Sequence, residues 1–315
     1  MALGSRVLGS GRGFLSTFSL KRQSYCQASR SDEATPSISP CGAPNHGRFE
    51  DLSRRRKPMC LYFTQNRCQY MDSPEHLEKF SHTFPELDPV VLDAARPLPR
   101  QPFDKFLVLD LEGKVEILEF PVVLLDAKTL TVVDRFHRFV RPCELKGSRL
   151  QAYIAGKYGR WKLERLWEDT AIPFQETLLA FEDWLEQHSL RDPESHLLKN
   201  SAFVTCGNWD IKTKIPEQCI TSGIPLPSYF CEWINLKDIF LNFYNKRARA
   251  KSKAPGMLSM MRSLDMRVQG SHHLGLDDAH NIARIVQKME SDGAVLSITA
   301  KRRGNRVEFL FQNRV

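Results

Sequence analysis

Asp110 and Glu112 in FLVLDLEG, Asp210 in VTCGNWD, and His273 with Asp278 in HHLGLDDA are the residues of this chain best suited to chemistry. Asp110 and Glu112 are two apart on an apolar stretch. On a strand, both side chains leave the same face and can serve one cation. Strand-end acids facing solvent are the alternative. Asp210 follows AFVTCG and opens a helical segment, so alone it reads as a helix N-cap. Asp278 falls in the first turn of another helix, where an acid suits the positive end of the dipole. Asp277 is equivalent on these grounds. His273 lies five residues before Asp278 in a glycine-containing loop, and alone it reads as a solvated histidine. Brought together, four carboxylates repel and raise one another's pKa values. Such a cluster calls for divalent metal, and a histidine of near-neutral pKa beside it can take up a proton. That chemistry is two-metal hydrolysis of a phosphodiester.

The elements that must position these groups follow from the apolar pattern. FLVLDLE predicts a short buried strand, and VEILEFPVVLLD and TVVDRFHRFV predict the next two. The short DAKTL turn makes the three an antiparallel meander. Phe174, Leu178, Phe181 and Leu185 recur at helical spacing and predict a helix over 173–188, with Pro173 suited to its first turn. SAFVTCG predicts a buried strand, and WDIKTKIPEQCITSG begins a helix after it. WINLKDIFLNFYN is a further amphipathic segment. LDDAHNIARIVQKMESDG predicts a helix with acids at its start and glycine at its end. RVEFLFQNRV alternates like a strand. Strands first, then helices and strands in alternation, give a single α/β or α+β sheet.

The 315 residues suffice for one domain of about 200 residues plus an extension. A hydrophobic content of 42% and a charged content of 26% are those of a globular protein. No stretch approaches the ~18 apolar residues of a membrane-spanning helix. The net charge of +8 favours a polyanionic partner, nucleic acid first. KRARAKSK at 246–253 and KRRGNR at 301–306 read as exposed basic loops that either track phosphates or are simply solvated. The eight cysteines are scattered and do not form the dense framework of a small secreted domain. Residues 1–31 lack acids and are rich in serine and arginine, the composition of an organelle transit peptide; a disordered cytosolic tail is the alternative. Residues 32–50 read as linker, which makes 1–50 a transit peptide with linker.

Residues 51–92 carry Cys60, Cys68, His76 and His82 in the order C-x7-C-x7-H-x5-H. Two thiolates and two imidazoles in so short a segment can hold one Zn²⁺ tetrahedrally. A degenerate remnant is the other reading. CLYFTQNRC resembles the start of a CCCH RNA-binding finger but lacks its third cysteine. The Cys-Cys-His-His order is similar to a poly(ADP-ribose)-binding finger with longer spacing.

The acidic motifs taken together resemble the DEDDh group of 3′→5′ exonucleases: D-x-E at Asp110 and Glu112, an acid at Asp210, and His273 ahead of Asp278. FLVLDLEG, EILEFPVVLLD, FHRFVRP, FVTCGNWDIK, EWINLKD and GLDDAHNIARIV resemble its Eri-like, three-prime histone-mRNA-exonuclease branch, in order over residues 103–298. The wording is most similar to plant Eri-like members associated with chloroplast ribosomal RNA maturation. The resemblance implies an α/β, RNase H-like (DnaQ-like) exonuclease domain over 103–315, with a mixed central sheet flanked by helices, behind the small zinc-finger-like module. It selects Asp278 over Asp277. It implies that Asp110, Glu112 and Asp278 hold one Mg²⁺ or Mn²⁺, and that Asp110 bridges to a second ion served by Asp210, directly or through water. Oxygen-only ligands suit these hard ions. His273 is then the general base, and the products are nucleoside 5′-monophosphates cut from RNA with a free 3′ end, with ribosomal RNA the expected substrate. Trp209 either stacks on the terminal nucleotide or belongs to the core. A chloroplast address is expected, with mitochondrion or cytoplasm as alternatives. A DNA exonuclease and a non-catalytic RNA-binding protein are the competing functions. One departure from the family pattern stands near the metal site: GKVEILEFP follows Glu112 directly, where many relatives carry several more residues.

Overall fold

The computed structural model describes residues 57–84, 98–244 and 255–311. The transit peptide and linker expected over 1–50, the basic loop 246–253 and the ends of the 51–92 segment lie outside the described residues.

Strand β1 (Lys105–Leu109) places Phe106 and Val108 in one apolar cluster and Leu107 and Leu109 in another. Both faces are covered, which is why this strand reads as an unbroken apolar run. The meander expected from the sequence is present. β2 (Glu119–Asp126) runs antiparallel to β1, and β3 (Val132–Arg141) antiparallel to β2. On the other side of β1 lies β5 (Ser201–Thr205), parallel to it, with Leu107 opposite Phe203. β6 (Glu232–Asn235) is parallel to β5, and a terminal hairpin of β7 (Ala300–Arg303) and β8 (Arg306–Phe309) closes that edge. With the two-residue β4 (Ile172–Pro173) beside β3, the described sheet is mixed, in the order β4-β3-β2-β1-β5-β6-β7-β8.

A six-residue helix, α1 (Pro74–Lys79), lies in the N-terminal segment. α2 (Gly147–Tyr158) and α3 (Glu164–Thr170) cover a third apolar cluster around Phe139 and Tyr158. α4 (Phe174–Gln187) buries Phe174, Leu178, Phe181 and Leu185, the residues whose spacing predicts it. α5 (Ile215–Thr221) lies on the same face. The opposite face carries α6 (Leu236–Tyr244), α7 (Met257–Ser263) and α8 (Gly275–Ser291). Among the described residues no helix is long and apolar enough to cross a membrane.

Three local expectations change. The FLVLDLE strand stops at Leu109, because the Leu111 amide turns to the Asp210 carboxylate, and only Glu112 rejoins the sheet, in a bridge to Glu119. KRRGNR is not a loop but the β7–β8 hairpin, turning at Gly304 with its φ of +57°. WINLKDIFLNFYN divides at Asn235, whose side chain accepts the Lys237 amide and donates to Asp238, starting α6.

The segment 57–84 lies against the exonuclease sheet. Its 3-10 turn (Phe63–Gln65) sets Thr64 and Gln65 against β3, where Gln65 Oε1 accepts the Phe139 amide at 3.2 Å. Tyr62 donates to Asp169 at 2.9 Å, and Arg135 lies over the Phe84 ring at 4.2 Å.

Candidate active site

The acids come from three elements that meet at the C-terminal end of β1. Asp110 and Glu112 leave that end. Gly113 then reverses the chain at φ +121°, with Glu116 O only 2.1 Å from where a Cβ would stand. The turn is sealed by the Leu118 and Glu119 amides, which donate to Glu112 O. This is how the short loop after Glu112 closes without removing a ligand. The Glu116 side chain, buried beneath it, accepts the Cys143, Glu144 and Leu145 amides. Burial alone would raise the Glu116 pKa, but the Leu145 and Cys143 amides, with the Cys143 thiol and Gln218, outweigh it and hold the pKa below the ordinary value.

Asp210 follows β5 and begins a π-helical turn (Asp210–Lys214), a widened turn that often marks a functional position. Its Oδ1 accepts the Leu111 amide at 3.0 Å, which ties the second motif to the first. Asp278 lies in the first turn of α8 and is 3% exposed. Gly275 allows α8 to come this close: a Cβ there would stand 3.0 Å from Asp110 O and 3.1 Å from Glu112 Cγ. Asp277 faces away and accepts the Ser271 amide at 2.7 Å.

Asp110, Glu112 and Asp278 each bring a carboxylate oxygen to within 4.8 Å of the other two. Asp210 stands behind them, and its charge is one of those felt by Asp110. Burial, then repulsion from Asp210, Asp278, Glu112 and Glu119, pushes Asp110 well above its ordinary value. Burial lifts Glu112 to about 7, against the opposing pull of Lys157, whose Nζ lies 2.6 Å away. Burial also lifts Asp210 to about 6, opposed by the Leu111 amide. These acids carry more negative charge than Lys157 offsets. An oxygen-only donor set fits hard divalent cations such as Mg²⁺ or Mn²⁺, not zinc.

His273 stands at the rim with its side chain exposed and φ at +75°. Its amide donates to Asp278 Oδ2 at 2.8 Å. Partial burial, His272 and Lys157 hold its pKa below the ordinary histidine value, so the ring is neutral at pH 7 and able to accept a proton. His272 stacks on it at 3.8 Å and lies 3.0 Å from both Asp278 oxygens. Trp209, next to Asp210, is 43% exposed and lies outside the core. Cys60, Cys68, His76 and His82 also converge, at a separate place.

Sequence reasoning missed Lys157, Glu119, His137 and His272. Lys157 comes from a helix the motifs do not mark. Glu119 reads as part of a strand. The signal for His272 was its place beside His273, and a doubled histidine does not say which ring meets the acid.

The RNase T exonuclease family model matches residues 106–286. An Arabidopsis thaliana protein described as an uncharacterized exonuclease domain-containing protein is 54% identical over 83% of this chain and 77% of its own length. The ERI1 exoribonuclease 3 of Mus musculus is 32% identical over 65% of this chain. The chain spans 59% of that relative's length. Among solved structures, the nuclease domain of 3′hExo, a DEDDh family member bound to rAMP, aligns with 64% of this chain and 98% of its own, with a TM-score of 0.53 and 31% identity. A 3′-exonuclease recognising the histone mRNA stem-loop aligns with 68% of this chain and 93% of its own, with a TM-score of 0.56 and 27% identity. The DEDDh exonucleases are divalent-metal dependent. A model match over more than half the chain, on a mixed sheet with acids gathered at the end of its central strand, shows that the chain belongs to the RNase T exonuclease family and has an RNase H-like exonuclease fold.

Proposed function

We propose that this protein is a 3′→5′ exoribonuclease that trims RNA 3′ ends and releases nucleoside 5′-monophosphates. The observation that carries the reading is the convergence of Asp110, Glu112 and Asp278 on one point, with Asp210 behind and His273 at the rim. The relatives named as exoribonucleases support it.

Asp110, Glu112 and Asp278 would hold one Mg²⁺ or Mn²⁺, and Asp110 with Asp210 a second. Two such ions supply a nucleophilic water at neutral pH and charge stabilisation at the leaving 3′ oxygen. The chain's own residues do the rest. His273 accepts the proton of the attacking water at its free ring nitrogen. The Asp278 carboxylate holds the His273 backbone through its amide, which fixes where that ring stands. Trp209 offers its exposed face to the terminal base. Lys157 keeps Glu112 aimed into the site.

The substrate reading extends to organellar ribosomal RNA, and the address to the chloroplast. The supports are the wording shared with plant Eri-like members and the acid-free residues 1–31. One Zn²⁺ at Cys60, Cys68, His76 and His82 completes the cofactors.

The test is a timed digest of 5′-labelled RNA with Mg²⁺, beside the same RNA blocked at its 3′ end and a matched DNA. A ladder shrinking from the free 3′ end of RNA, absent with EDTA and in Asp278→Ala, is the expected result. Retained RNA binding without cleavage would replace the enzyme by a binding protein. Faster cutting of DNA would change the substrate.

A further inference from the structure

Cys60, Cys68, His76 and His82 each bring one ligand atom to within 4.8 Å of the others. Cys68 Sγ lies 3.6 Å from His76 Nε2 and 3.5 Å from His82 Nε2, and the two Nε2 atoms are 3.1 Å apart. A zinc tetrahedron with bonds of about 2.3 Å to sulfur and about 2.0–2.1 Å to nitrogen has sulfur–nitrogen edges of about 3.5 Å and a nitrogen–nitrogen edge of about 3.3 Å. The Cys68, His76 and His82 edges therefore match such a shell, and Cys60 lies within reach of its fourth corner. Their surroundings suit ligation. The Tyr70 amide donates to Cys68 Sγ at 3.4 Å, Cys60 is buried, and His82 stacks on Phe63 at 4.8 Å. The segment that carries them has only a 3-10 turn and a six-residue helix as regular elements. Such a segment has too little core to hold this shape unaided.

The Cys60, Cys68, His76 and His82 cluster is joined to the acidic centre by hydrogen bonds. Thr64, whose amide donates to Cys60 O, places its Oγ1 2.7 Å from His137 Nδ1. His137 Nε2 lies 3.1 Å from Glu119 Oε1, and Glu119 Oε1 accepts the Leu276 amide at 3.1 Å. That amide is at the start of α8, whose N-cap residue Leu274 gives no side-chain cap. Thr64, His137 and Glu119 are all buried. Glu119 thus holds the helix end that carries Asp278.

We propose that Cys60, Cys68, His76 and His82 bind one structural Zn²⁺, and that the zinc-held segment positions Asp278 through Thr64, His137 and Glu119. Thr64, His137 and Glu119 are positioning residues, not catalytic ones. The zinc half stands without the nuclease reading. The positioning half rests on the catalytic metal site proposed above.

The experiment uses the full chain. Zinc is counted by plasma mass spectrometry, and Mn²⁺ affinity at the carboxylates is measured by titration. One zinc per chain is expected in wild type and in Asp110→Ala, and none in Cys68→Ser/His82→Ala. Because that variant can fail to fold, the wild-type chain is also grown with Co²⁺. The visible absorption of a tetrahedral two-thiolate cobalt centre is expected. Zinc-free wild type without that spectrum overturns the site.

For the positioning role, Thr64→Val should keep its zinc but bind Mn²⁺ more weakly. Removing an outer-shell partner costs about 10–100-fold in metal affinity, and Thr64 stands further out, so about threefold to tenfold is expected. Thr64→Ser keeps the hydroxyl and should restore wild-type affinity. Equal Mn²⁺ affinity in Thr64→Val and wild type, or Thr64→Ser as weak as Thr64→Val, overturns the positioning role. Neither readout depends on RNA being cut, so failure of the nuclease reading shows separately.

Discussion

Glu112 is subject to two opposed influences, burial that favours its neutral form and Lys157 that favours its charge. Burial wins. Without metal, the folded protein keeps this proton up to about 7, while an unfolded glutamate releases it near 4.5. Asp210 is raised in the same direction, from 3.8 to about 6. The folded state therefore binds more protons than the unfolded one in this window, and stability falls as pH rises through it. Divalent metal binds the ionised carboxylates and opposes that loss. The Tm of EDTA-treated protein should fall from about pH 5 to about pH 8, and added Mg²⁺ should raise it most at the upper end. A Tm that rises over that range in EDTA would contradict the electrostatics described for these acids. Trp209 makes a second prediction at this scale. Its exposure means that Trp209→Ala should change stability by no more than about 0.5 kcal/mol. A lost base stack of about 1–3 kcal/mol should raise KM for a short oligoribonucleotide by about 5-fold to 150-fold. Unchanged KM would remove Trp209 from the substrate path.

Among the elements, α8 and the end of β1 are packed as closely as backbone permits. A Cβ at Gly275 would also stand 3.0 Å from Pro121 Cγ. Gly275→Ala therefore requires α8, Pro121 and Glu112 to give by a few tenths of an ångström. Overpacking of this kind costs about 1–3 kcal/mol. A displacement near 1 Å can cost about 100-fold in rate, so kcat should fall by at least about tenfold. Thermal melting and steady-state kinetics on the same protein check both parts. Full activity would mean that the helix end tolerates movement. The short turn after Glu112 works by the same logic, since Gly113 alone escapes a clash with the Glu116 carbonyl.

For the whole molecule, the N-terminal segment 57–84 packs against the exonuclease sheet at β3. Gln65 accepts the Phe139 amide, and its Nε2 donates to Leu61 O and Thr170 Oγ1. Gln65 is 1% exposed, so Gln65→Ala leaves a buried amide without a protein partner. That loss should cost about 1–3 kcal/mol, read as a lower midpoint in urea unfolding. An unchanged midpoint would mean that the segment adds nothing to the stability of the exonuclease core.

The first and third motifs were legible in the sequence because their chemistry is local. Two acids at D-x-E spacing and a histidine five residues ahead of an acid keep their meaning wherever the chain runs. The apolar runs likewise announced the meander and the helix over 173–188, since periodicity follows from backbone geometry. Cys60, Cys68, His76 and His82 could be read as a set, but not where that set would lie. Which acid of the Asp277–Asp278 pair turns inward was open on local grounds, and the packing of α8 against β1 decides it. Lys157, Glu119 and His137 gain their roles only from partners that are 45, 157 and 73 residues away in sequence: Glu112, Leu276 and Thr64. Types and spacings determined what chemistry was available. Tertiary structure decided which groups share one desolvated point, because burial and neighbouring charge depend on contacts between elements that no local pattern encodes.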